Sequence, residues 1–231
     1  GKGGGTVLIR GGQLILDNSK ISANITSPGM IENRVELFGG GIEIAVNHDA
    51  VIQNNAIVET NVLGNATPNI KYAGVQVKAD RIEILGTGTL SPTSFTGIQS
   101  NVGTDTQPST QGGKSGNITL DANSILIKGF GTLETTVLGL PPPPTLSPTP
   151  APISNAGDIT LTANQDIQLN GSRIQSLIFS HSGAAGNITL TSKHGNIVET
   201  GNLPPPGFTP TPGVPLPPVN PNMLFAQSRQ S

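Results

Sequence analysis

The stretch from residue 115 to 136, SGNITLDANSILIKGFGTLETT, returns in altered form as AGDITLTANQDIQLNGSRIQS from Ala156 and as AGNITLTSKHGNIVET from Ala185. A phrase that recurs along a chain marks a repeat architecture, in which one small unit stacks on the next. Aligned over the whole sequence, the phrase has starts at Gly5, Gly40, Ala73, Gly116, Gly157 and Gly186.

Two positions after these starts stand Val7, Ile42, Val75, Ile118, Ile159 and Ile188, and two further on stand Ile9, Ile44, Val77, Leu120, Leu161 and Leu190. Both columns are wholly aliphatic. The positions between them are Leu8, Glu43, Gln76, Thr119, Thr160 and Thr189, polar in all but the first. Alternation with period two predicts a strand with one face in a core.

The next column, Gly11, Val46, Ala79, Ala122, Ala163 and Ser192, is mostly small, and Gly12, Asn47, Asp80, Asn123, Asn164 and Lys193 follow it. Small residues before Gly, Asn or Asp mark a corner, because Asn and Gly tolerate left-handed backbone. Stacked Asn side chains also bond along a ladder. The expected corner ladder is Asn47, Asp80, Asn123 and Asn164.

A second apolar pair follows in most repeats: Leu14 and Leu16, Ile82 and Ile84, Ile125 and Ile127, Ile167 and Leu169. The second repeat (DAVIQNN) and the last fit this less cleanly. Beyond another Gly/Asn-rich break comes a third short strand, ISANI from Ile21, IVETN from Ile57, IQSNV from Ile98, LETTV from Leu133 and IQSLI from Ile174. Strands this short cannot bury their inner faces alone, but repeats stacked about 4.8 Å apart bury one another. The expected fold class is all-β: a parallel β-helix of about six rungs with three short strands per rung, spanning 1–200.

The intervals between starts exceed a minimal coil of about 20 residues, and the excess falls mainly at one corner, between the third strand and the next start. Proline supports this, since it cannot donate to a ladder. Of 20 prolines, all but Pro28, Pro68, Pro92 and Pro108 fall in two tracts, Pro141 to Pro152 and Pro204 to Pro221. The first is read as a Pro-rich loop insertion over 140–153. The second places a Pro-rich, mostly disordered tail or linker over 201–231.

Composition excludes several functions. A net charge of −2 offers no basic footprint for nucleic acid. No apolar run is long enough to cross a bilayer, so no membrane insertion is expected. With no cysteine there is neither a disulfide nor a thiolate metal site. Aromatic residues are only 3 %, so a large aromatic core is not expected either.

The repeat phrase, together with GKGG near the start and LSPTSFTGIQS at 90–100, resembles the repeat region of large filamentous-haemagglutinin-like exoproteins, those of cyanobacterial type in particular. The resemblance covers roughly residues 1–200. It implies a right-handed parallel β-helix passenger, exported through a dedicated outer-membrane secretion partner. The passenger would be secreted or displayed on the outer surface of a Gram-negative-type bacterium. General chirality of parallel connections points to the same hand. The NPN at Asn220 to Asn222 lies in the proline tail and is given no secretion role.

Catalysis on such a scaffold needs carboxylates converging on one face, as a calcium site or as an acid and base pair. Asp17, Asp49, Asp80, Asp121 and Asp166 sit at different offsets in the repeat, mostly near corners. His48 and His194 have no nucleophile spaced with them, and His194-Gly195 lacks the paired Asp residues of galacturonan-cleaving β-helices. Tyr72, Phe95, Phe130, Phe179 and Phe208 are scattered among loops rather than aligned for sugar stacking. The pairs Thr160, Thr162 and Thr189, Thr191 repeat over too few rungs for an ice-binding face. The sequons at Asn24, Asn65, Asn117 and Asn187 mostly coincide with strand periodicity.

No catalytic residue, cofactor or metal ligand is therefore expected. The function read from the sequence is a non-catalytic segment of an exoprotein, an adhesin stalk or adhesive surface. The alternatives are a polysaccharide lyase or hydrolase of the same fold, or a self-assembling matrix protein. A host or matrix glycan or protein ligand would meet the corner loops, with Ile31 to Phe38 and Thr104 to Lys114 as the segments chosen.

Overall fold

A computed structural model describes residues 5–25, 41–62, 74–88, 95–103, 113–138, 154–179, 183–200 and 223–228. Every element among them is a strand. The first repeat gives β1 (Val7–Gly11), β2 (Leu14–Asp17) and β3 (Lys20–Ser22), and the second β4 (Ile42–Val46), β5 (Asp49–Gln53) and β6 (Ile57–Glu59). The third gives β7 (Val75–Leu85) and β8 (Gly97–Val102). After β9 (Gly113–Lys114), the fourth gives β10 (Ile118–Lys128) and β11 (Thr132–Leu138). After β12 (Ser154–Asn155), the fifth gives β13 (Ile159–Ala163), β14 (Ile167–Asn170) and β15 (Arg173–Phe179). The last comprises β16 (Gly183–Ala184), β17 (Ile188–Ser192), β18 (Ile197–Thr200) and β19 (Met223–Ser228).

All strand pairs are parallel. One sheet runs β1-β4-β7-β10-β13-β17, with β2, β5, β14 and β18 joined to it through β7 and β10. A second runs β3-β6-β8-β11-β15-β19, and a small third joins β9, β12 and β16. Each passage of the chain thus adds one or two strands to the first large sheet and one to the second, in the same order. Parallel neighbours need a long crossover between them, and here that crossover is the rest of one repeat. The arrangement is consistent with a β-solenoid.

The register follows the sequence columns. Val7, Ile42, Val75, Ile118, Ile159 and Ile188 are successive partners, as are Ile9, Ile44, Val77, Leu120, Leu161 and Leu190. The middle four of each column are buried, while Val7, Ile9, Ile188 and Leu190 at the ends are only half covered. The second aliphatic pair continues through Ala50 and Ile52, so DAVIQNN does form its strand. Each buried Ile or Leu contributes about 1.5–3 kcal/mol by leaving water.

The third strand of the second repeat begins at Ile57, as the sequence predicts, but one residue out of the expected line: Val58, not Ile57, stands between Ile21 and Ile98, and Leu133 and Ile174 continue the line. In an alternating strand such a slip exchanges the two faces. Val58 is accordingly in the core and Ile57 is not.

At the first corner Asn47 and Asn164 fall in a break between strands, whereas Asp80 and Asn123 lie within β7 and β10, and none of the four has left-handed backbone. β7 and β10 run straight through it as single strands of 11 residues. Left-handed backbone lies at the second corner, at Asn18 (φ 42°), Asn54 (φ 54°), Asn55 (φ 65°) and Phe130 (φ 65°), with Gly129 and Gly171 both at 60°. Side-chain ladders also lie elsewhere. The Oδ1 atoms of Asn24, Asn61 and Asn101 accept the backbone N–H of Asn61, Asn101 and Thr136 at 2.7, 3.1 and 2.9 Å. Asn117 and Asp158 do the same for Asp158 and Asn187 at 3.0 and 2.7 Å.

Within the stretch read as a Pro-rich tail, Met223–Ser228 returns to pair with β15 as β19. The remainder of 201–231 and the 140–153 insertion lie outside the described residues, apart from this strand.

Gly157 and Gly186 show why the last two repeats start on glycine. A Cβ there would lie 2.1 Å from the carbonyl oxygen of Gly116, and one on Gly186 would lie 2.0 Å from that of Gly157. Neighbouring backbones pass too closely at this point for any side chain.

Candidate functional site

The third strands carry the densest polar arrangement in the described residues, and alternation sorts it onto two sides. On the inner side, Thr60, Ser100, Thr135 and Ser176 stand between two aliphatic clusters, one containing Val58, Ile98, Leu133 and Ile174, the other Val62, Val102, Val137 and Ile178. Buried hydroxyls need partners. Thr60 Oγ1 donates to Ser100 Oγ (2.9 Å), and Thr135 Oγ1 donates to the Gly157 carbonyl (2.7 Å). Ser176 Oγ accepts from the Gly186 N–H (2.7 Å), and Ser115 Oγ accepts from that of Gly157 (2.8 Å). The inner hydroxyls thus fasten the third strands to the entry of the next repeat.

On the outer side, Ser22, Glu59, Gln99, Glu134 and Gln175 are successive register partners. Both carboxylates are saturated by neighbours. Glu59 Oε1 receives Lys20 Nζ at 2.5 Å, Ser22 Oγ at 3.1 Å and the Asn24 amide, and Oε2 receives Gln99 Nε2 at 2.8 Å and Asn61 Nδ2 at 3.2 Å. Glu134 accepts from Asn101 Nδ2 at 3.2 Å and Gln175 Nε2 at 2.5 Å, with Arg173 Nη2 at 3.9 Å.

Burial alone would raise the Glu59 pKa. Hydrogen bonds from Lys20, Asn24 and Gln99, with the Lys20 charge, outweigh it and hold the carboxyl below its ordinary value. A general acid needs the opposite displacement. Glu59 is built as a fixed anion in a bonded surface.

The first sheet carries a shallow groove of about 350 Å³ over its early strands, lined by Thr6, Glu43, Gln76, Asn117 and Thr119 among others. Glu43 there is paired with Arg10 (2.6 Å). Further along, Thr119, Thr160 and Thr189 are in register, and Asp121, Thr162 and Thr191 form the next line.

The acids weighed in the sequence are dispersed. Asp17 accepts from Gln53 (2.9 Å) and Asn54 (3.1 Å), Asp49 pairs with Arg81 (3.0 Å), and Asp166 accepts the Asn196 N–H (2.8 Å). His48 and His194 are exposed at the first corner. Among the described residues, no three His, Cys, Asp or Glu side chains gather as a metal site would require. Segment 31–38 lies outside the described residues, and of 104–114 only Gly113 and Lys114 are described, in β9.

No family model matches the chain, and no curated protein or solved structure matches it. The resemblance to filamentous-haemagglutinin-like exoproteins therefore stands on the repeat phrases alone.

Proposed function

We propose that the chain is a right-handed parallel β-helix of six rungs serving as a non-catalytic scaffold in an exoprotein, an adhesin stalk or adhesive surface. On this reading it is carried to the outer surface of a Gram-negative-type bacterium by an outer-membrane secretion partner. The observation that carries the proposal is the order of the two large sheets. Six successive passages of the chain add strands to both in the same sequence, which is how an elongated coil grows.

The outer chemistry agrees with a scaffold. Glu59 and Glu134 spend their oxygens on neighbours, and Asp17, Asp49 and Asp166 are tied within corners. Rigid, self-satisfied faces suit a surface that displays loops rather than one that moves protons.

The test incubates the protein with a panel of surface and matrix polysaccharides and follows bound protein and released oligosaccharide in the same samples. Retention without release is expected. Release of oligosaccharide would overturn the reading in favour of a polysaccharide-active enzyme.

A further inference from the structure

The residue just before each first strand belongs to a column of its own. Thr6, Gly41, Gly74, Asn117, Asp158 and Asn187 stand one position ahead of the partners Val7, Ile42, Val75, Ile118, Ile159 and Ile188. The carbonyls of Gly41, Gly74, Asn117, Asp158 and Asn187 accept the N–H of Val7, Ile42, Val75, Ile118 and Ile159 in turn, at 2.8 to 3.1 Å.

The N–H groups of this column fare differently in the early and the late repeats. Oδ1 of Asn117 accepts the Asp158 N–H at 3.0 Å, and Oδ1 of Asp158 accepts the Asn187 N–H at 2.7 Å. Gly41 and Gly74 have no side chain with which to serve the repeat that follows them. Among the described residues, the N–H groups of Gly74 and Asn117 accordingly have no acceptor.

These same residues, Gly41, Gly74 and Asn117, line the shallow groove of about 350 Å³ on the outside of the first sheet. Along its length Glu43, Gln76 and Thr119 are register partners. Two open donors about 4.8 Å apart therefore lie beside a carboxylate, an amide and a hydroxyl. The volume falls at the small end of ligand sites, which run from roughly 300 to 1,000 Å³.

Unpaired backbone donors call for oxygen acceptors, and in the late repeats that oxygen belongs to an amide or to a carboxylate. Glu43 decides between the two. Arg10 holds its Oε1 at 2.6 Å, while Oε2 has no donor among the described residues. An incoming carboxylate would meet this one at like charge. An incoming amide would bring a carbonyl for the N–H and an N–H for Oε2.

We propose that the groove binds N-acetylated hexoses of a glycan. The acetamido carbonyl accepts the Gly74 N–H, in the way that Asn117 Oδ1 accepts that of Asp158, and the acetamido N–H donates to Glu43 Oε2. Ring hydroxyls bond Gln76, Thr119 and the Asn117 N–H. The inference rests on the adhesive reading proposed above and names a ligand class for it.

The experiment titrates the isotopically labelled full chain and follows its backbone amide signals. The probes are diacetylchitobiose, cellobiose, which carries hydroxyls in place of the acetamido groups, and sodium glucuronate. Saturable movement of the Gly74 and Asn117 signals is expected with diacetylchitobiose alone. Glu43→Gln should weaken that binding on the order of tenfold, as loss of a hydrogen bond to a charged group. Equal movement with cellobiose, stronger movement with glucuronate, or affinity unchanged by Glu43→Gln overturns the assignment. No movement at the two amides in a chain that still retains polysaccharide overturns the groove alone. No movement and no retention overturn the adhesive reading with it.

Discussion

Lys20 and Glu59 form an ion pair across β3 and β6 in which the two charges live in different surroundings. The Nζ to Oε1 distance is 2.5 Å, yet the Lys20 side chain is 52 % exposed and that of Glu59 only 4 %. The carboxylate depends on its partner far more than the ammonium does. Lys20→Met should lower stability by about 1–3 kcal/mol, because Glu59 keeps its neutral donors but loses its cation. Denaturant unfolding of the two proteins checks this. A change below about 0.5 kcal/mol would show the pair to be an ordinary surface bridge.

The same carboxyl sets an acid limit. Its folded pKa lies below the ordinary value of 4.5, so its stabilising contribution is fully present above that value and is lost as pH falls through the depressed one. Glu59→Gln should flatten this part of the stability profile. Unfolding midpoints of both proteins between pH 7 and pH 2 check it, and parallel profiles would refute the assignment.

Ser176 joins two repeats through one oxygen, accepting the Gly186 N–H and lying 3.2 Å from the Gly157 carbonyl. Ser176→Ala strands the Gly186 N–H in the interior, while the Gly157 carbonyl keeps the Thr135 hydroxyl, and should cost about 1–3 kcal/mol. Amide exchange at Gly186 should accelerate in the variant. Unchanged exchange there would mean that the hydroxyl is dispensable.

Close backbone passage at Gly157 makes a second kind of demand. Gly157→Ala should cost about 1–3 kcal/mol as an overpacked site, although alanine is the better residue in most strands. A neutral or stabilising outcome in thermal unfolding would show that the backbones separate easily.

Within the core, Leu120→Ala should cost about 2–5 kcal/mol. Its outward neighbour Thr119→Ala should stay within about 0.5 kcal/mol. Comparable losses from the two would refute the assignment of faces.

The two first-strand columns were legible in the sequence because a period of two survives stacking: each aliphatic residue meets its own kind above and below. Val58 was misplaced because Ile57 and Val58 are adjacent and equally apolar, so composition cannot say which enters the core. The neighbours Ile21 and Ile98, 37 and 40 residues away by register, decide it. The left-handed corner was misassigned for a related reason. Asn123 and Asn54 look alike in sequence, but of the first and second corners it is the second that takes up positive φ. β19 was hidden by distance, since 22 residues of Pro-rich chain separate it from β18.

The polar outer face of the third strands was least legible. Glu59 reads as a surface acid until Lys20, Ser22, Asn24, Asn61 and Gln99 are brought round it from three strands. One signal was available: polar residues between the aliphatic positions of the third strand recur as Ser22, Glu59, Gln99, Glu134 and Gln175.

In β7 and β10 the first corner is bridged by unbroken strands, joined to each other over ten register pairs from Val75 with Ile118 to Leu85 with Lys128. Repeats on either side cross the same corner with separate strands. A twist or a sideways load must shear the whole bonded pair in the middle, whereas toward the ends it need only open a bend. The described rungs are thus splinted where β7 meets β10, and bending would be taken up first at the same corner of the rungs on either side.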